Sequence, residues 1–193
     1  MLGLKLPTDP RWVNIVEMNI DDILTDHAFC EQKATSTAIS LIVSFPEYTE
    51  LVQEMIALVK EEISHFKLVH DKIIARGNTL GYDRKDAYVN QLLKFFPKGG
   101  SRTIQLVHRL LYAALIEARS CERFRLLSQE LKDEELRLFY HNLMVSEANH
   151  YTMFLGFARK YGDEKEVNEK WQDLLDFEAE IMKNLSKDQT IHG

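Results

Sequence analysis

The chain has 193 residues, 45% of them hydrophobic and 28% charged, with a formal net charge of −6. That length and balance fit one globular domain spanning 1–193 and exclude a disordered or fibrous polymer. No apolar run is long enough to cross a membrane, and MLGLKLPTDPRW lacks the apolar core of a secretory signal. Two cysteines, Cys30 and Cys121, cannot staple a small secreted fold, so a cytoplasmic, reducing setting is expected.

The pattern along the chain is nearly all helical, with no convincing alternation of strand type. A short lead-in helix is expected over Arg11 to Met18, and a first long helix over Asp21 to Ser44. Asp21 and Asp22 favour its start and Pro46 marks its end. A second long helix runs over Glu47 to Arg76 and stops at Gly77, after which NTLGYD reads as a loop. A shorter helix follows over Arg84 to Phe96, with Asp83 as its N-cap. PKGGS breaks the chain, and Ser101 caps a third long helix over Arg102 to Ser128. The fourth covers Asp133 to Tyr161 and ends at Gly162. A last amphipathic helix over Lys165 to Leu185 carries Trp171, Leu174, Leu175, Phe177 and Ile181, and the tail SKDQTIHG reads as poorly ordered.

The four long helices carry one repeated pattern. Glu31 is followed after 31 residues by Glu62 and then His65; Glu117 is followed after 30 by Glu147 and then His150. Each member of the second set lies 85 or 86 residues beyond its counterpart. With 18 Glu and 7 His, shuffling alone yields about 0.65 Glu-x-x-His matches, so the two present mean little by themselves. The equal offset, with an isolated Glu one helix upstream of each, is the informative part.

The helix faces agree. Ile20, Leu24, His27, Glu31, Ala34, Ala38 and Leu41 recur at steps of three and four, as do Leu51, Met55, Leu58, Glu62, His65, Val69 and Ile73. The third stripe is Leu106, Leu110, Ala113, Glu117, Cys121 and Phe124. The fourth is Leu136, Tyr140, Leu143, Glu147, His150, Phe154 and Phe157. Each places ionisable groups in the middle of an apolar face turned toward a core. Burying four carboxylates is untenable without cations, and two divalent metals supply the four positive charges that balance them. The simpler reading of any one position is a plain bundle whose Glu snorkels or pairs with Arg119, Arg123 or Lys33; all six together point to metal. A Glu on one helix and Glu-x-x-His on the next, repeated once, is the ligand set of ferritin-like carboxylate bundles. The expected fold is therefore an all-α ferritin-like four-helix bundle with additional short helices, its two helix pairs joined by a long crossover over 78–100.

Glu and His three apart lie about 60° apart on a helix with a rise of about 4.5 Å, so both can reach one ion. Oxygen-rich donors with one imidazole per metal suit iron or manganese better than zinc or copper. Glu61 and Ser146, each four residues before a ligand histidine, could orient its ring or simply be surface polarity. His27, one turn before Glu31, reads as a core or groove histidine, with a hydrogen bond to the ligand as the other option. Tyr112 and Tyr151 read as packing residues. Such a centre leaves iron storage, peroxide reduction and oxygen insertion open.

Net charge argues against a polyanionic partner, but its distribution does not. Residues 84–125 hold nine basic and three acidic groups, a surplus of +6, flanked by blocks of −6 on either side. Lys85, Lys94, Lys98 and Arg102 are the candidate contacts for such a partner within it. The glycines of KGGSR let backbone amides approach phosphates; an ordinary interhelical loop is the other reading of the segment.

Over nearly its whole length the chain resembles the tRNA-modifying di-iron hydroxylases of the MiaE family. The segments are LPTDPRW (6–12), ILTDHAFCEQKA (23–34), EEISHF (61–66), GYDRKDAYVNQL (81–92), KGGSR (98–102), IEARSCERF (116–124), SEANHY (146–151) and TIHG (190–193). The resemblance implies two Fe ions held by Glu31, Glu62, His65, Glu117, Glu147 and His150, with O2 as co-substrate. It implies hydroxylation of the isopentenyl group of 2-methylthio-isopentenyladenosine in a tRNA anticodon stem-loop, with electrons from a separate reductase. The alternative is a ferritin- or rubrerythrin-like iron oxidase or peroxidase without an RNA substrate.

Overall fold

The computed structural model describes residues 2–185 and 191. Seven α-helices account for most of it: α1 (Trp12–Met18), α2 (Ile20–Ser44), α3 (Thr49–Ala75), α4 (Ala87–Leu92), α5 (Arg102–Glu130), α6 (Glu134–Tyr161) and α7 (Glu164–Leu185). A 3-10 turn, Leu93–Phe95, follows α4. No strand occurs among the described residues, and no described helix is long and apolar enough to cross a membrane.

The described chain forms two compact units. Residues 16–85 with Ile191 make one, in which α2 packs against α3; residues 2–15 and 86–185 make the other, in which α5 packs against α6 and α7. In the first unit, the seven residues read as the apolar stripe of α3 are the seven that are buried. The stripes of α5 and α6 are likewise buried throughout, whereas Ile20 and Ala34 at the margins of the α2 stripe are half-exposed. Helix α5 buries residues around its whole circumference from Ala113 to Arg123, the mark of a helix enclosed by its neighbours.

The ends follow local chemistry. Ser101 accepts from the Ile104 amide at 3.2 Å and Asp133 from the Leu136 amide at 3.1 Å, each satisfying a donor that the first turn leaves open. Gly77 takes φ +79 just past α3, a backbone state that L side chains avoid. Gly162 ends α6 for a different reason. Its φ is ordinary, but a Cβ there would lie 2.7 Å from Val167 Cγ2 and 2.9 Å from Val107 Cγ2, so only glycine fits the space.

One expectation needs correction. The crossover helix begins at Ala87 instead of Arg84, and its N-cap is Asp86, which accepts from the Val89 amide at 2.9 Å. Asp83 is unavailable for capping because its carboxylate holds Lys33 of α2 at 2.7 Å. The tail SKDQTIHG lies outside the described residues except for Ile191, which is fully buried and donates its amide to Asp26 at 2.7 Å.

Candidate metal centre

Within the α2–α3 unit, Glu31, Glu62 and His65 offer ligand atoms that all lie within 4.8 Å of one another. All three are buried. The imidazole turns Nδ1 inward, 3.5 Å from Glu62 Oε2 and 3.6 Å from Glu31 Oε2. Its other nitrogen faces Glu61 at 3.9 Å, too far for a hydrogen bond, and Glu61 is itself exposed. The second oxygen of Glu31 is held at 2.7 Å by Nε2 of His27, which is wholly buried. His27 thus belongs to the site. Its one-turn spacing from Glu31 was the available signal, but spacing alone does not distinguish a core histidine from one bonded to a ligand.

The α5–α6 unit repeats the arrangement. Glu117, Glu147 and His150 are buried and offer atoms within 4.8 Å of one another, and His150 again directs Nδ1 inward, 3.8 Å from Glu117 Oε2. Each unit thus carries two carboxylates and one imidazole in a region that excludes water.

Burial is the main influence on Glu31 and pushes its carboxyl above the ordinary range, while His27 and His65 act against that rise. For His65, burial disfavours the charged ring, but Glu31 and Glu62 together outweigh burial and raise it to about 10. Without a metal, a proton on the ring does part of the charge compensation. A divalent ion in the same place would do more, and the donor set of hard oxygens with one imidazole fits such an ion. The buried Glu and His groups fit a metal site.

The arginines that the sequence offers as partners for these carboxylates are engaged elsewhere. Arg119, fully buried, donates Nε to Glu178 at 2.9 Å, NH1 to Glu122 at 3.0 Å and NH2 to the Leu6 carbonyl at 3.0 Å. Arg123 donates to Thr8 Oγ1 at 3.3 Å and stacks its guanidinium 4.3 Å over Trp12. Thr8 closes the network by donating to Glu122 at 2.6 Å, and Tyr88 of α4 donates to Glu178 at 3.3 Å. This network pins the N-terminal segment and the crossover onto α5 and α7. Sequence reading missed it because its partners are up to 115 residues apart.

The burial of Arg119 and Arg123 leaves the charge surplus of 84–125 unchanged. Two of the nine cations in 84–125 never reach the surface, but neither do Glu117 and Glu122, so the surplus of six survives. Lys85, Lys94, Lys98 and Arg102 are all exposed: Lys85 ends the 77–85 loop, Lys94 lies in the 3-10 turn, and Lys98 and Arg102 flank the positive-φ pair Gly99–Gly100. Nearby, a cleft of about 530 Å³ is lined by Asp163, Glu166, Glu169 and Asp173 with His108 and Lys170; none of the six candidate ligands lines it. Tyr151 packs on Trp171 and Tyr112 on Phe96, as core residues do.

The family model described as tRNA-(MS[2]IO[6]A)-hydroxylase (MiaE) matches residues 2–193. A Pseudomonas putida protein named tRNA 2-(methylsulfanyl)-N(6)-isopentenyladenosine(37) hydroxylase is 35% identical over 190 residues, 98% of this chain and 91% of the relative. A Salmonella typhimurium protein of the same name is 26% identical over 239 residues, 98% of this chain and 87% of the relative. Among solved structures, "Protein 43 with aldehyde deformylating oxygenase activity from Synechococcus" matches with a TM-score of 0.90 at 29% identity, covering 98% of this chain and 95% of the other. The fold is all-α and ferritin-like.

Proposed function

Since the chain belongs to the tRNA-(MS[2]IO[6]A)-hydroxylase (MiaE) family, we propose that it is a di-iron, O2-dependent tRNA hydroxylase. Its substrate is the isopentenyl group of 2-methylthio-isopentenyladenosine next to the anticodon. The observation that carries this reading is the pair of buried Glu–Glu–His triads, one on each long helix pair. We take them as the halves of one two-metal centre in a single domain spanning 1–193, with Glu31, Glu62, His65, Glu117, Glu147 and His150 as ligands.

A reduced di-iron centre held there would supply the activation of dioxygen. One oxygen atom enters a C–H bond of the substrate and the other leaves as water, with two electrons from a separate reductase and two protons. The chain supplies the rest. Glu31 is held in place by His27, and both ligand histidines present Nδ1 to the carboxylates. Burial of all six side chains keeps bulk water from the reacting atoms. Lys85, Lys94, Lys98 and Arg102 contact tRNA phosphates, and the reaction takes place in the cytoplasm.

Iron titration tests the centre. The native chain should hold two irons, and Glu147→Ala should lose metal and activity while keeping its helix content. One-to-one stoichiometry in the native protein, or full metal in the variant, would sink the paired site. Supplied with a reductase, oxygen and tRNA carrying the isopentenyl base, the native protein should add one oxygen atom to the modified nucleoside. Excess Fe(II) in air should not mineralise, and the protein should stay a small oligomer. Uptake far beyond two irons per chain in a cage-sized particle would favour storage.

A further inference from the structure

The segment between α3 and α4 presents an aromatic side chain that the metal chemistry does not use. Tyr82 is 95% exposed, the highest value among the large hydrophobic side chains that lie on the surface. An isolated exposed aromatic needs no explanation by itself. This one is held out by neighbours fixed to α2. The backbone of Gly81 lies so close to Thr25 that a Cβ would meet its Cγ2 at 3.0 Å. On the other side, Asp83 binds Lys33 at 2.7 Å and Arg84 binds Asp22 at 2.9 Å. Each ion pair is half-exposed and contributes little stability. Their placement is what matters, because contacts at 81, 83 and 84 leave the ring at 82 as the projecting element.

The charge around the ring is also sorted. Asp21, Asp22 and Asp83 are each taken up by a cation, Arg76, Arg84 and Lys33 respectively. Lys85 follows directly, exposed, and no ion pair forms at it among the described residues. An uncovered π-face three residues from an exposed cation, with Asp21, Asp22 and Asp83 held by their own cations, offers the two features that single-stranded nucleic acid uses. The base stacks on the ring and the adjacent phosphate meets the cation.

We propose that Tyr82 is a stacking platform for an unpaired nucleobase of the RNA substrate, with Lys85 contacting the neighbouring phosphate. The proposal rests on the tRNA reading above and locates part of its recognition surface on the α2–α3 unit. The flanking contacts at 81, 83 and 84 restrain the backbone that carries the ring, so less chain freedom is lost when a base stacks on it.

The test uses the full-length iron-loaded protein, an anticodon stem-loop oligonucleotide, and a fully paired RNA duplex of equal length. Tyr82→Ala should weaken stem-loop binding by roughly 5- to 160-fold, the range that alanine substitution at a stacking aromatic produces. Tyr82→Phe and Tyr82→Trp should restore it, and the Trp emission should be quenched by the stem-loop. Duplex binding, iron content and thermal midpoint should not move. Lys85→Ala should instead reduce the slope of log affinity against log salt by about 0.7. Native-like stem-loop affinity in Tyr82→Ala, or an equal loss on the duplex, overturns the stacking role and leaves the tRNA reading intact. If the native protein holds two irons but binds no stem-loop, the tRNA reading fails and takes this proposal with it.

Discussion

His27 Nε2 lies 2.7 Å from Glu31 Oε1, one helical turn further along α2, and both side chains are buried. The contact fixes the carboxylate on the side away from His65, whose Nδ1 lies 3.6 Å from the other oxygen. Hydrogen bonds of this kind set the orientation and basicity of a metal-binding carboxylate. His27→Ala should therefore weaken binding at the Glu31–Glu62–His65 triad by about 10- to 100-fold. His27→Gln, which can still donate, should recover part of it. Competition with a chelator of known affinity measures both, and unchanged affinity in the alanine variant would remove His27 from the site.

The Arg119 network predicts a large stability effect. Arg119→Ala leaves Glu178 and Glu122 buried without their cation, a change that costs about 3–5 kcal/mol. Arg137→Ala, which removes an exposed pair with Glu134 at 3.3 Å, should cost less than about 1 kcal/mol. Urea unfolding of the two variants gives the comparison. Equal losses would mean that the buried network contributes no more than a surface pair.

The cysteines should differ in reactivity, and the difference should depend on pH. Cys121 is buried with its Sγ 3.3 Å from the Met144 carbonyl, and burial, aided by Glu122 and Glu117 against the opposing Arg125, pushes its thiol up to about 11. At pH 8 about one molecule in a thousand carries that thiolate, and the fraction rises as pH climbs toward 11. Cys30 is only half-buried. Alkylation at pH 8 should label one thiol in the folded chain and two in denaturant, with mass spectrometry placing the single label on Cys30. Labelling of Cys121 in the folded state at that pH contradicts its burial.

Reversing Lys98 and Arg102 to Glu should raise the dissociation constant for a modified anticodon stem-loop. It should also flatten the salt dependence of binding by about 0.7–0.9 in log–log slope for each phosphate that a cation no longer neutralises. Both side chains are exposed and neither is a candidate ligand, so the metal content and optical spectrum should stay as in the native protein. Filter binding across a salt series reads the slope. Unchanged affinity would move the phosphate-binding surface away from KGGSR.

The repeat of Glu, Glu and His was legible because helical periodicity is local: side chains three and four apart share a face whatever the rest of the chain does. The same rule picked out every buried residue of α3, and the cap at Ser101 followed from a side chain three residues from the amide it accepts from. Local rules failed where two nearby groups competed for one role or where the partner lay far along the chain. Asp83 and Asp86 are equally good N-caps by sequence; Lys33, fifty residues away, takes the first and leaves the second. Arg119 and Arg123 looked like surface cations or partners for the candidate ligand carboxylates. Their burial beside Glu122 and Glu178 depends on how α5 and α7 pack, and no spacing within α5 reveals a partner 59 residues on. Periodicity says which side of a helix is turned inward. Only the packed chain decides what that side meets, because a buried charge selects its partner by proximity in space.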